Sequence, residues 1–244
     1  MRITGIHYGI LRIPLRTPFK TALRTVETIE DVIVRIETDS GHVGYGEAPP
    51  TVAITGDSLE SILEALRGSI GPALLGRDIL AIDGNCQTVQ NAVLKNTSAK
   101  AAAEIALYDL FAQQAGKPLY QVLGGGQPRL ITDLTISAND TATMLYDCES
   151  ALERGFTALK IKVGKDVGDD IARLQAIRRA VAGRASLRID ANQGWSAEQT
   201  ISVMHTLESG GEPFELIEQP VSAEDIQGLI KIRAGITTPP PPPP

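Results

Sequence analysis

The sequence predicts an α/β fold in which an α+β region precedes the first half of a parallel (β/α) barrel. From about residue 130 onward, short apolar runs alternate four times with amphipathic helical periods, the pattern of βα units around a parallel sheet. The chain before that point begins differently. In DVIVRIETDSGHVGYGEA, residues 31–48, Val32, Val34 and Ile36 alternate with polar neighbours and DSGHVG supplies a turn, which together predict an antiparallel hairpin. No GxGxxG or Walker pattern follows the first strand of the alternating region, which favours a barrel over a doubly wound nucleotide-binding sheet.

After the hairpin come helical periods. DSLESILEALRGSI offers Asp57 or Ser58 as N-cap and places Leu59, Ile62, Leu63 and Leu66 on one stripe. SAKAAAEIALYDLFAQQAG turns Ala103, Leu107, Leu110 and Phe111 inward, stops at Gly116, and is rich enough in alanine to pack closely. LGGGQP, residues 123–128, reads as a linker. In the alternating region TDLTIS precedes a helix carrying Leu145, Cys148 and Leu152, and ALKIKV precedes one carrying Ile171, Leu174, Ile177 and Val181. SLRIDAN precedes a helix starting at Ser196, and ELIEQPV precedes one carrying Ile226, Leu229 and Ile230. The expected division is 1–128, 129–238 and a proline run at 239–244. Prolines cannot donate to a parallel ladder, and about 115 residues from position 130 compare with about 250 for a whole barrel. A truncated reading frame, or a sequence record that ends early, is therefore the expectation.

With 244 residues, 43% hydrophobic, 21% charged and a net charge of −6, the composition is that of a soluble globular protein. No apolar run approaches the roughly 18 residues of a membrane span, and MRITGIHYGI lacks the order of a signal peptide, so no membrane association and a cytoplasmic location are expected. Cys86 and Cys148 are too few and too distant for a zinc site or a disulfide framework, and His7, His42 and His205 are scattered. A mildly acidic chain without a basic cluster gives no reason to expect nucleic acid. The sequence leaves a homo-oligomer open.

The candidate site gathers at strand ends. Lys160 and Lys162 share one face of LKIKV, and a strand covered on both sides has no solvent face to receive them. RIDANQGW then places Asp190 and Asn192 at the end of the third strand, and LIEQPV places Glu218 and Gln219 at the end of the fourth. The C-terminal ends of the strands are where barrels of this type carry their active sites. Asp190 is not needed as a helix cap, because Ser196, with Gln199 three positions on, caps better. Two carboxylates on neighbouring buried strands repel unless a cation lies between them, and hard oxygen ligands without Cys or His indicate Mg²⁺. A lysine beside a second ammonium and a metal has its charged form disfavoured, so its pKa is expected to fall toward neutrality, where it serves as a general base. The set specifies proton abstraction next to a carboxylate. Asn192 and Gln219 are either groups that orient the carboxylates or simple hydrogen bonders at strand ends.

PFKTALRTVE, GYGEAPPTVAITGDS, SAKAAAEIALYDL, PLYQVLGG, LKIKVGKD, RIDANQGW and ELIEQPV together resemble the enolase superfamily, in its muconate lactonizing enzyme-like subgroup and the dipeptide epimerases within it. The resemblance covers nearly all of residues 1–238 and implies a capping domain over a modified (β/α)7β barrel, of which about four βα units are present. It implies epimerisation of dipeptides of the L-Ala-D/L-Glu type in cell-wall peptide metabolism. A lysine base and Mg²⁺ acting through an enediolate is the established chemistry of the superfamily, and it enters with the resemblance. Lys162 then resembles one acid/base, Lys160 the companion that tunes it, and Asp190 and Glu218 two of three metal ligands. Arg24 resembles the residue that binds the substrate's side-chain carboxylate, although an exposed arginine in a polar loop is ordinarily solvated surface. Ile54 and Thr55 resemble part of a loop that closes the site, and Thr135 a residue lining the pocket. The third metal carboxylate, the second catalytic lysine and the acidic motif for the substrate ammonium would all follow Pro239, so the chain alone is expected to be inactive. Muconate cycloisomerisation or o-succinylbenzoate synthesis would use the same residues, with Arg24 and the ITGDS loop arguing against them. A non-catalytic, self-associating fragment is the alternative of another class.

Overall fold

The computed structural model describes residues 1–21, 24–126, 130–211 and 213–240. Two compact units result, Met1–Leu15 with Thr28–Arg129 and Arg16–Glu27 with Leu130–Pro244. Gln127 and Pro128 of the expected linker, Leu23 beside Arg24, and the last four prolines lie outside the described residues.

The first unit is built on a three-stranded sheet of β1 (Ile3–Lys20), β2 (Thr25–Thr38) and β3 (Val43–Ala48), although β1 and β2 each have one end in the second unit. The β2–β3 hairpin has the register its alternation predicts, from Val32 opposite Ala48 to Glu37 opposite Val43, with Val32, Val34 and Ile36 all buried. Short helix α1 (Val52–Thr55) is followed by α2 (Leu59–Ala65), which Ser58 caps in a reciprocal box with Ser61. A π turn, Leu66–Ile70, links α2 to α3 (Gly71–Leu74), and α4 (Ile82–Ala92) follows.

Helix α5 (Thr97–Gln114) has Ala99, Ala102, Ala103, Ala106, Leu107 and Leu110 buried. Phe111 is only partly buried, at the margin of this core. The alanines let the helix lie directly on β3. A Cβ added at Gly46 would stand 1.9 Å from the carbonyl oxygen of Ala102, so the close approach needs both small helix residues and a bare backbone. The helix ends at Ala115, and Gly116 follows with φ +63°. Short α6 (Leu119–Val122) closes the unit.

The second unit is a parallel sheet of β4 (Leu134–Ile136), β5 (Ala158–Lys162), β6 (Ser186–Asp190) and β7 (Leu216–Glu218), in unbroken sequential order. A doubly wound sheet reverses its order at a switch point, so this order is that of a barrel wall. The strands alternate with α7 (Thr141–Glu153), α8 (Val167–Val181), α9 (Ala197–Glu208) and α10 (Ile226–Gly235). Met144, Cys148, Leu159, Ile161, Leu174, Ile177, Ile189, Val203 and Ile217 form one buried core.

One expectation needs correction here. Ile226 and Ile230 of α10 are 55% and 57% exposed, because Ile232, with Leu229 beside it, is the side that meets α9. The first residue of the proline run also takes part in the fold, since the Pro239 carbonyl accepts the Ile217 N–H at 3.1 Å. A proline lacks only the donor, so it can still serve one side of a ladder. Among the described residues no helix is long and apolar enough to cross a membrane.

Candidate active site

Register assembles the site. Lys162 of β5 stands directly opposite Asp190 of β6, and Asp190 directly opposite Glu218 of β7, so the three form one row across the C-terminal ends of the strands. One row below are Thr135, Lys160 and Arg188. A two-residue period puts both rows on the same face of the sheet.

The charged atoms meet closely. Lys162 Nζ donates to Asp190 Oδ2 at 2.6 Å, and Lys160 Nζ lies 2.9 Å from that oxygen and 2.7 Å from Glu218 Oε2. Asp190 is 1% exposed and the Lys162 side chain 8%, while Lys160 and Glu218 are more open. The Lys162 ammonium also sits 6.0 Å from the centroid of the Phe19 ring, which belongs to the same unit.

A cation therefore does lie between the two carboxylates, and it is the Lys160 ammonium. Burial opposes the Lys160 charge, but hydrogen bonds from it to Glu218 and Asp190 outweigh burial and hold its pKa above the ordinary value. Burial alone would likewise raise Asp190; the two ammonium groups more than offset it and hold the carboxyl below its usual range.

The loops around the row are tightly built. Asn192, Gln193 and Gln219 all have left-handed backbones, with φ of +46°, +66° and +39°. Such strain in non-glycine residues concentrates at functional sites. Asn192 N–H donates to Asp190 Oδ1 at 2.9 Å, while its own Oδ1 is buried without a hydrogen-bond partner. The Gln219 carbonyl accepts the Gln193 N–H at 2.7 Å, although its side chain is exposed.

Arg24 is exposed, and its carbonyl accepts the Thr21 N–H at 3.0 Å. Ile54 and Thr55 are exposed on α1 in the first unit, and the Thr55 hydroxyl donates to the Thr51 carbonyl at 3.2 Å. Below the row, Arg188 bridges Asp133 at 2.8 Å and Glu215 at 2.7 Å, an ion triad that sequence reasoning did not find. Only its register with Lys160 signals that it faces the same way. Among the described residues, no group of three or more His, Cys, Asp or Glu side chains is placed to hold a metal; Asp190 and Glu218 supply two hard oxygen donors.

Comparison with known proteins places this arrangement in a class. Residues 8–124 match the mandelate racemase / muconate lactonizing enzyme N-terminal domain, and residues 143–239 match the enolase C-terminal domain-like family. The chain belongs to the muconate lactonizing enzyme-like group of the enolase superfamily, with its N-terminal capping domain and part of its barrel. It is similar to the L-Ala-D/L-Glu epimerase of Bacillus subtilis (strain 168), with 49% identity over 240 residues, which are 98% of this chain and 66% of that protein. The solved substrate-liganded complex of the Bacillus subtilis epimerase superposes with a TM-score of 0.96 at 48% identity, covering 98% of this chain and 67% of that one. A dipeptide epimerase from Enterococcus faecalis V583, solved with Mg and L-Leu-L-Tyr, gives 0.94 at 38% identity, covering 98% and 67%. The chain thus spans about two thirds of the length of the relatives it matches.

Proposed function

We propose that this chain carries the proton-abstracting half of a Mg²⁺-dependent dipeptide epimerase acting on L-Ala-D/L-Glu-type substrates, in the cytoplasm, in cell-wall peptide metabolism. The observation that carries the reading is the row Lys162–Asp190–Glu218, with Lys160 bridging its two carboxylates. The residues fit a hard divalent cation, since Asp190 and Glu218 are adjacent oxygen donors and Asn192 Oδ1 is a buried oxygen in want of a partner. When bound, the ion supplies positive charge to the substrate carboxylate, where negative charge develops as the α-proton leaves.

The chain's own residues do the rest. Lys162 accepts the α-proton of the substrate's glutamate, giving an enediolate, and Lys160 sets the local field in which Lys162 must lose its charge. Burial and the Phe19 ring keep water from the Lys162 ammonium. Arg24 is assigned the side-chain carboxylate, for which a guanidinium fork is suited, while Thr135, Ile54 and Thr55 are assigned to the substrate's surroundings. Inversion needs a second group on the opposite face of the α-carbon, and among the described residues β4, β6 and β7 carry no further lysine. The resemblance implied a chain inactive by itself; the residues present are instead assigned exchange of the α-proton without inversion.

The test is proton NMR of L-Ala-L-Glu in D₂O with Mg²⁺ and the purified chain. The glutamate α-proton signal should fade, and Lys162→Met should abolish the loss. A folded, Mg²⁺-loaded protein that leaves the signal intact overturns the proposal.

A further inference from the structure

One buried carboxylate is not used by the chemistry above. Asp170 lies in the first turns of α8, is fully buried, and gathers donors from three places. Its Oδ2 accepts the Gly164 N–H at 2.8 Å and the Trp195 indole Nε1–H at 3.2 Å, and its Oδ1 accepts Arg173 at 2.6 Å. An acidic residue near a helix N-terminus needs neither burial nor distant donors to favour the helix dipole. Two of the three donors here belong to other segments.

Those segments are the ones that hold the site. Gly164 follows Lys162 by two residues, and the intervening Val163 N–H donates to the Asp190 carbonyl at 3.0 Å. Trp195 ends the loop that begins at Asp190, and its N–H donates to the Pro220 carbonyl, two residues past Glu218, at 3.0 Å. The two loops also touch backbone to backbone. A Cβ at Gly164 would stand 2.2 Å from the Ala191 carbonyl oxygen, and one at Gly194 would stand 2.2 Å from that of Gly164. A buried carboxylate is costly unless its lone pairs are filled, and these are filled by bridging the two loops.

Resting on the functional reading above, we propose that Asp170 is a positioning residue that locks the loop after Lys162 to the loop after Asp190. It thereby fixes the distance between the base and the carboxylate pair.

The test uses Asp170→Asn in the full chain, with three readouts: dipeptide α-proton exchange, calorimetric Mg²⁺ affinity, and backbone amide NMR shifts. The expected result is a folded protein with kcat for exchange lowered about 10- to 100-fold, the scale found for groups that orient ligands, and KM changed less than about threefold. Amides at residues 162–164 and 190–195 should shift together. Melting at a lower temperature with kcat and Mg²⁺ affinity both within about threefold of wild type overturns the proposal, because the role is then structural only. If wild type binds Mg²⁺ but exchanges no dipeptide, the functional reading fails by itself. Mg²⁺ affinity then decides, with about tenfold weaker binding in Asp170→Asn supporting the clamp and unchanged binding refuting it. Wild type showing neither property sinks both. Should Asp170→Asn not fold, Trp195→Phe removes one donor and keeps the carboxylate; a fall in kcat of about tenfold is expected, and a kcat within about threefold of wild type refutes the lock.

Discussion

Replacing Asp190 by alanine tests whether the charged row is closed. In the native arrangement two ammonium groups are balanced by two carboxylates, and Asp190 touches both lysines. Without it, Lys160 retains Glu218 at 2.7 Å, whereas Lys162, 8% exposed, keeps among the described residues only the face of Phe19. Removing one partner of a buried pair costs about 3–5 kcal/mol, because the other is left charged and unpaired. At a urea slope of about 3 kcal/mol/M the unfolding midpoint should fall by about 1–1.7 M. Lys162→Met should cost less, about 1.5–3 kcal/mol, since Asp190 then keeps Lys160. The double variant should fall short of the sum of the two by about 2 kcal/mol, because the orphaned ammonium is gone. Circular dichroism during urea titration of all four proteins measures this cycle. Additivity to within about 0.5 kcal/mol would refute the reasoning, since it would mean that Lys162 and Asp190 do not share a buried contact.

Other expectations concern packing, acid and thiols. Gly46→Ala forces a methyl to within 1.9 Å of the Ala102 oxygen, so α5 must move off β3 at a cost of about 1–3 kcal/mol, and an unchanged melting temperature would contradict the close approach. Asp190 has its folded pKa below the ordinary carboxylate value of about 3.9, so its stabilisation is fully present above that value and disappears as pH falls through the folded value. The stability gap between wild type and Asp190→Asn should therefore be widest near neutrality and narrow in acid, and a gap constant down to the acid transition would argue against the ion pairs. Burial pushes the Cys148 thiol up to about 12, so alkylation of the native protein at pH 8 should modify the partly exposed Cys86 first, as peptide mass spectrometry would show.

Much of this arrangement was legible because period and position carry it. Four βα alternations fixed the strand sequence, and polar residues at the ends of apolar strands picked out Lys160, Lys162, Asp190 and Glu218. What period alone does not contain is pairing. That Lys162, Asp190 and Glu218 share one row depends on register, and that Lys160 bridges two strands depends on side-chain reach. Asp170 reads in sequence as an ordinary acid at a helix start, because the donor that ties it to the neighbouring loop, Trp195, is 25 residues away. Strand β1 escaped notice for a related reason. Its residues Arg12 and Arg16 interrupt the apolar alternation, and its outer positions are exposed. Ile226 and Ile230 looked like core because a helical stripe shows which residues could be buried, whereas the neighbours decide which are.

The contact between Gly164 and Gly194 has a consequence for how such a site can diversify. Where two backbones touch, there is no side chain to exchange, and any substitution at either glycine pushes apart the loops that follow Lys162 and Asp190. This rim of the sheet is closed to mutational experiment. Variation must therefore arise elsewhere, on surfaces with side chains free to change, while Lys162, Asp190 and Glu218 stay where they are.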